Sequence, residues 1–162
     1  MAGCATAPQP SSDQAAWTSG RLSLRVEATS ERIVQSLSVV FELRGGADSG
    51  ELRLTSPLGT QVAAAQWSPG QASLRTSEGE RQFADLDALS RQALGETLPL
   101  AALPDWLAGR PWRGAAHRAQ ATGFEQLGWV VETNRLAEGW VSATREAAPT
   151  LKLRVRLDRP EA

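Results

Sequence analysis

The chain has 162 residues, with 17 Lys and Arg against 18 Asp and Glu, a formal net charge of −1, one Cys and one His. That length suffices for one domain with a substantial core, since a chain of this size buries about two-thirds of its unfolded surface. No basic run interleaved with aromatic residues suggests nucleic-acid binding. One Cys leaves no intramolecular disulfide or cysteine metal site, one His removes most His-based catalytic constellations, and no run approaches the ~18 apolar residues of a membrane helix.

In chain order, Met1-Ala2-Gly3-Cys4 precedes a Pro-, Ser- and Ala-rich stretch through Gln14 that is too polar to fold. Residues 1–19 therefore read as a tether and residues 20–162 as a single domain. Small residues ahead of Cys4 resemble the end of a bacterial lipoprotein signal peptide, in which the Cys becomes the lipid-modified first residue. The apolar core of such a signal is missing and Met1 stands where Leu is usual, so an upstream part cut away or a start placed too late is expected. The alternative is a chance Cys in a disordered end.

Strand periodicity then begins. Leu22, Leu24 and Val26 alternate with polar residues over 21–27, and Leu37, Val39, Phe41 and Leu43 alternate with Ser38, Glu42 and Arg44. The run Gly45-Gly46-Ala47-Asp48-Ser49-Gly50 reads as a turn into a strand carrying Leu52 and Leu54. Ser56, Pro57 and Gly59 fit positions i, i+1 and i+3 of a type I turn, which leaves Leu58 at the tip where a polar residue is usual. Exposure there forgoes about 1.5–3 kcal/mol of burial, although single surface Leu residues are common. Strands over 62–67 and 72–75 follow, joined by Ser68-Pro69-Gly70-Gln71.

Helical period appears only in the middle. Asp85 is an N-cap candidate, Leu86, Leu89, Ala93 and Leu94 share a face, and Gly95 suits the C-terminal stop. A second short helix covers Leu100, Leu103 and Leu107 up to Gly109, with Pro104 predicting a kink or two separate turns. Strand patterns resume at Leu127, Trp129 and Val131, at Trp140 and Ser142, and at Leu151, Leu153, Val155 and Leu157, the last alternating with Lys152, Arg154 and Arg156. Strands, then helices, then strands, without βαβ alternation, predict a mainly β member of the α+β class. Its expected form is a curved antiparallel sheet wrapped around a small helical insert. Trp106 and Trp129 are expected to face a cavity or to pack the helices on the sheet, Trp67 and Trp140 to lie in the core or at its rim, and Trp17 and Trp112 to be interfacial. Arg21, Arg25, Arg53 and Arg75 belong to outer faces, either solvated or meeting an acidic partner.

These segments together resemble the LolB family of outer-membrane lipoprotein receptors. The resemblance runs from about Gly20 to about Leu157. It is carried by Gly20-Arg21-Leu22-Ser23-Leu24, by Gly50 through Thr60, by Asp85-Leu86-Asp87-Ala88-Leu89 with Leu94-Gly95, and by Leu98-Pro99-Leu100 with Leu103 and Trp106-Leu107-Ala108-Gly109. Gln126 through Val131 and Ala148 through Leu153 complete it. Each segment is weakly specific; their order and spacing are more so. Departures are Glu132-Thr133 where an aromatic usually follows, the absence of Tyr, a shortened C-terminal end, and Pro104. They leave the pairing of the last strand and the shape of the insert open.

The resemblance implies an unclosed antiparallel β-barrel with a helical lid, like that of the periplasmic carrier LolA. The implied receptor accepts acylated lipoproteins from that carrier and inserts them into outer-membrane phospholipid. Acyl chains would lie among Leu22, Leu24, Val39, Phe41, Leu52, Leu54, Leu89, Leu103, Trp106, Leu107 and Trp129. Pro57, Leu58 and Gly59 would form the delivery loop, Cys4 would carry the anchor, and a monomer needing no cofactor is expected. A soluble lipid carrier or an envelope-stress sensor domain of the same half-barrel type is the alternative. An enzyme is not expected: no G-x-S-x-G occurs, His117 reads as part of a loop, and Asp85 and Asp87 read as helix-start residues.

Overall fold

The computed structural model of the protein describes residues 16–31 and 33–158. Cys4 and most of the expected tether lie outside the described residues, and the first strand begins at Thr18. Six strands come first: β1 (Thr18–Val26), β2 (Gln35–Gly45), β3 (Gly50–Thr55), β4 (Gln61–Ser68), β5 (Gln71–Thr76) and β6 (Gly79–Phe83). Helices α1 (Leu86–Leu94) and α2 (Leu103–Leu107) follow, then β7 (His117–Gln120), β8 (Gly123–Gln126), β9 (Trp129–Glu132), β10 (Trp140–Arg145) and β11 (Leu151–Leu157).

The strands form one 11-stranded antiparallel sheet in the order β6-β5-β4-β3-β2-β1-β11-β10-β9-β8-β7. The first and last strands pair at its centre, with Leu22 opposite Val155 and Leu24 opposite Leu153. The last strand is paired on both sides, because β11 pairs with β10 as well. The edges β6 and β7 stay unpaired, so the sheet curves without closing, and the segment bearing both helices joins those two edges in sequence. No helix among the described residues is long and apolar enough to cross a membrane.

Alternation fixes which face is which. Leu24, Val26, Phe41, Leu43, Leu52, Leu151, Leu153 and Val155 lie on the inner face and are buried, and α1 and α2 pack against them in a single apolar cluster. The outer face carries the charges, as a half-wet antiparallel sheet requires. At the β2–β3 turn, Gly45 has φ +89°, and a Cβ on Gly50 would strike the Trp67 ring and the Arg44 carbonyl. That ring is fixed over the turn by its Nε1–H, which donates to the Gly46 carbonyl at 2.8 Å.

The helix ends follow their chemistry. The Asp85 carboxylate accepts from Ala88 N–H at 2.8 Å, and Gly95 closes α1 with φ 74°. Pro104 falls in the first turn of α2, where its missing N–H costs nothing; Leu98 to Ala102 form separate turns before it.

Four expectations are corrected. β6, β7 and β8 were not anticipated as strands. His117 lies in edge strand β7, opposite Gln126, rather than in a loop. Leu127 sits in the β8–β9 turn with φ 56°, ahead of Gly128 with φ 80°, and not in a strand. Trp140 is on the outer face, between the Arg154 and Arg156 guanidinium groups at 4.9 and 5.0 Å from its ring centroid.

One outer-face carboxylate is deeply placed. Glu51 accepts from Arg44 Nη2 at 2.6 Å and from Arg53 Nε at 3.0 Å, and both guanidinium groups lie over the Trp17 ring at 4.6 and 4.5 Å. Burial favours the protonated acid, but the hydrogen bonds and charges of Arg44 and Arg53 outweigh it and hold the carboxyl below its usual 4.5. A depressed carboxylate pKa contributes stability above the unfolded value and loses it as pH falls through the folded one. Glu51→Gln is therefore expected to cost about 1.5–3 kcal/mol at neutral pH. The difference from the parent should shrink progressively below pH 4.5, as read by urea unfolding across a pH series.

Candidate functional site

The inner face and its helical cover form the larger part of the site. Leu22, Leu24, Val39, Phe41, Leu52 and Leu54 lie on the inner face of β1 to β3, Leu89 on α1, Leu103, Trp106 and Leu107 on α2, and Trp129 on β9. All are buried or, for Leu22 and Leu54, half-buried. Trp106 is the keystone of α2. Its ring meets Phe124 edge-on at 6.3 Å and 63°, and is tilted against Trp129 at 6.3 Å and 59°, distances at which aromatic pairs attract beyond simple burial.

Beneath Trp106 lies Gln126, 2% exposed. Its Oε1 accepts from Trp106 Nε1–H at 2.8 Å and from Trp112 N–H at 2.9 Å. Its Nε2 donates to the carbonyls of Trp112 at 2.7 Å and Ala115 at 2.9 Å. The amide thereby makes the full set of four bonds available to it and pins α2, and the loop after it, to β8. A second polar tie lies across Trp129 from Gln126 in the sheet register. Arg145, on the inner face opposite Trp129, pairs with Glu96 at 3.0 Å and donates to the Pro149 carbonyl at 3.1 Å. A third is Ser90, whose buried hydroxyl accepts from Leu98 N–H at 3.1 Å. Apolar contact and these side chains together hold the cover in place.

A hollow of about 320 Å³ opens at the margin of the cover, between the β4–β5 turn and the start of α1. Leu86, Ala101, Trp112 and Leu127 give it apolar walls. Leu127 is 47% exposed there and holds a left-handed backbone that an L side chain with a Cβ adopts at a cost of about 1–2 kcal/mol.

Pro57, Leu58 and Gly59 form a compact tip between β3 and β4. Gly59 N–H donates to the Ser56 carbonyl at 2.9 Å, Ser56 N–H to the Thr60 carbonyl at 2.8 Å, and Thr60 N–H to Ser56 Oγ at 3.2 Å. This brace holds Leu58 96% exposed. The register shifts between Leu54 and Thr55, where Val62 is the extra residue.

Sequence reasoning missed Gln126, Arg145 and Glu96. A polar residue at a period-2 inward position was the available signal for Gln126, and the same period places Arg145 inward after Val141 and Ala143.

The family model described as "Outer membrane lipoprotein LolB" matches residues 15–159. The chain is similar to the Outer-membrane lipoprotein LolB of Bordetella pertussis, 35% identical over 146 residues that cover 83% of this chain and 73% of that protein. It is 33% identical to the protein of the same name from Chromobacterium violaceum over 147 residues, 85% and 78% of the two chains. For that of Ralstonia nicotianae the figures are 30% over 178 residues of alignment, 99% and 82%.

Gln126→Leu is expected to lower stability by about 3 kcal/mol or more, because each buried group left without a partner costs about 1–3 kcal/mol; urea unfolding reads this directly. Leu127→Asn should act oppositely. Asn-Gly suits a two-residue hairpin turn with positive φ at both positions, so relief of about 1 kcal/mol should raise the melting temperature by about 2–4 °C.

Proposed function

The chain belongs to the LolB family of outer-membrane lipoproteins, and from that premise we propose that it is a receptor that takes acylated lipoproteins from the periplasmic carrier LolA and inserts them into the outer membrane. The observation that carries this reading is Leu58, an apolar side chain braced in full exposure at a hairpin tip. In water the position forgoes burial; in a bilayer interface it regains it.

The inner face supplies a place for acyl chains. An acyl chain that displaces α1 and α2 exchanges one apolar contact for another, and each CH₂ it buries contributes about 0.8 kcal/mol toward lifting the cover. The hollow beside Leu86, Trp112 and Leu127, close to the free edge of the sheet, is where we place admission. The cargo residues are those of the inner face named above, with Trp106 and Trp129 at their centre.

Cys4 carries the lipid anchor in this reading, on the periplasmic face of the outer membrane, and the residues ahead of Trp17 are the tether that lets a monomeric domain meet its carrier. No G-x-x-x-x-G-K motif occurs in the sequence. Transfer runs in one direction because the receptor holds acyl chains more tightly than the carrier, an equilibrium difference between two binding sites.

The test mixes the chain carrying Cys4→Ala with carrier loaded with one acylated lipoprotein, then adds liposomes. The parent is expected to take cargo and deliver it. Leu58→Glu is expected to take cargo equally and deliver at least about tenfold less, a charged residue at the interface opposing insertion. Failure to take cargo would sink the receptor reading and favour a sensor domain of the same fold. Delivery by Leu58→Glu at the parent rate would remove the loop from the mechanism.

A further inference from the structure

Five large apolar side chains are exposed among the described residues: Ile33 at 81%, Val34 at 41%, Leu58 at 96%, Val62 at 42% and Leu127 at 47%. Four of them belong to two hairpins, β1–β2 and β3–β4. These hairpins are neighbours, since β2 pairs with β3, and they turn at the same end of the sheet. β2 leaves the first tip at Gln35 and runs to Gly45, and Gly45 lies opposite Gly50 while Val40 lies opposite Thr55. β3 therefore runs back toward the end where Ile33 and Val34 stand.

Behind that first tip the outer face is cationic. Beside Leu24 and Leu37, the lining of a groove of about 340 Å³ there includes Ser23, Arg25, Lys152 and Arg154, with Ser36 and Ser38. The register makes them adjacent: Arg25 lies opposite Ser36 and Lys152, and Ser23 lies opposite Ser38 and Arg154. Glu27 is shared by Arg25 at 2.8 Å and Lys152 at 3.9 Å. Arg154 lies over Trp140 and has no carboxylate partner among the described residues. One row further along, Arg21 stands directly opposite Arg156, a like-charge pairing that weakens a sheet. The excess of positive charge is built into the ladder itself, together with three hydroxyl groups able to donate to an anion.

We propose that the β1–β2 hairpin is a second bilayer contact beside the Leu58 loop. Ile33 and Val34 enter the interface, and Arg25, Lys152 and Arg154 receive the phosphates of anionic lipid headgroups. The proposal rests on the reading that the protein delivers cargo at a membrane. An apolar tip flanked by cations is the combination that binds an anionic bilayer, because burial and charge attraction add. Two contacts on adjacent hairpins also fix the orientation of the domain, which a single Leu contact does not.

The experiment is co-sedimentation of the chain carrying Cys4→Ala with vesicles of phosphatidylethanolamine and phosphatidylcholine, with and without phosphatidylglycerol. Ile33→Asp combined with Val34→Asp is expected to weaken binding about tenfold on both compositions. Lys152→Gln combined with Arg154→Gln should weaken binding about tenfold on phosphatidylglycerol vesicles alone and flatten its salt dependence. Leu58→Glu should weaken both while keeping the preference for phosphatidylglycerol. Unfolding midpoints and cargo uptake from loaded carrier, measured without vesicles, should be unchanged in the hairpin and groove variants. Parent-like sedimentation of the hairpin variant, or an intact phosphatidylglycerol preference in the groove variant, overturns the proposal. A parent chain that sediments as expected but takes no cargo leaves this membrane surface standing and removes the receptor reading instead.

Discussion

The apolar inner face of a sheet that does not close has to be covered, and a single buried amide, that of Gln126, fixes how. Its four hydrogen bonds reach the indole of α2, both backbone groups of Trp112 and the carbonyl of Ala115. The topology leaves little choice about what the cover is. β6 and β7 are the free edges, and the chain between them carries α1 and α2, so the segment that bridges the gap is also the one that buries the inner face. Apolar contact is non-directional and would tolerate several seatings of so short a helix as α2. The amide, the Glu96–Arg145 pair and the Ser90 hydroxyl select one of them.

The outer face shows how differently charge is used in two places. Around Glu51 the cations are drawn inward: Arg44 and Arg53 share one buried carboxylate and lie over the Trp17 ring. Along β1 and β11, Arg25 and Lys152 share Glu27, but Arg21 faces Arg156 and Arg154 has no carboxylate partner among the described residues. A fold needing only solubility would mix the signs there as it does elsewhere. The apolar tip of Ile33 and Val34 lies at the end of this stripe, which is why the two features are read together.

Most of the sheet was legible because one of its faces is wet. Leu22 with Leu24, Leu37 through Leu43, and Leu151 through Leu157 alternate cleanly, and their register in the structure follows that alternation. β7 was not legible because all of its residues are exposed; an edge strand with one free side carries no burial signal and is protected by polar side chains instead. The β8–β9 turn escaped notice because Leu127 occupies a position where Asn or Gly would have announced it. Leu58 stood out between Pro57 and Gly59, whereas Ile33 and Val34, sitting just ahead of β2, blended into the apolar rhythm of the strand they precede. The polar ties were the hardest to see, because a lone Gln, Glu or Arg in a sequence does not reveal a partner that lies from 11 to 49 residues away.

On the proposed reading, cover and cargo compete for the same surface, and the strength of the polar ties sets the balance. Were α2 held by apolar contact alone, an acyl chain would displace it readily and return to the bilayer only as fast as the cover reclaimed its seat. Were the ties much stronger, cargo would have to supply more buried CH₂ groups before the cover lifted, and short or single chains would be refused. Four bonds on one neutral amide occupy a middle position. They lose little when water replaces them in the open state, since the net value of a neutral hydrogen bond is about 1 kcal/mol, but they restore one seating of the cover when the inner face is empty. A buried ion pair in their place would cost far more to separate if its charges stayed shielded from water. The Glu96–Arg145 pair, across Trp129 from Gln126 in the sheet register, ties the segment that follows α1 and not the indole of α2.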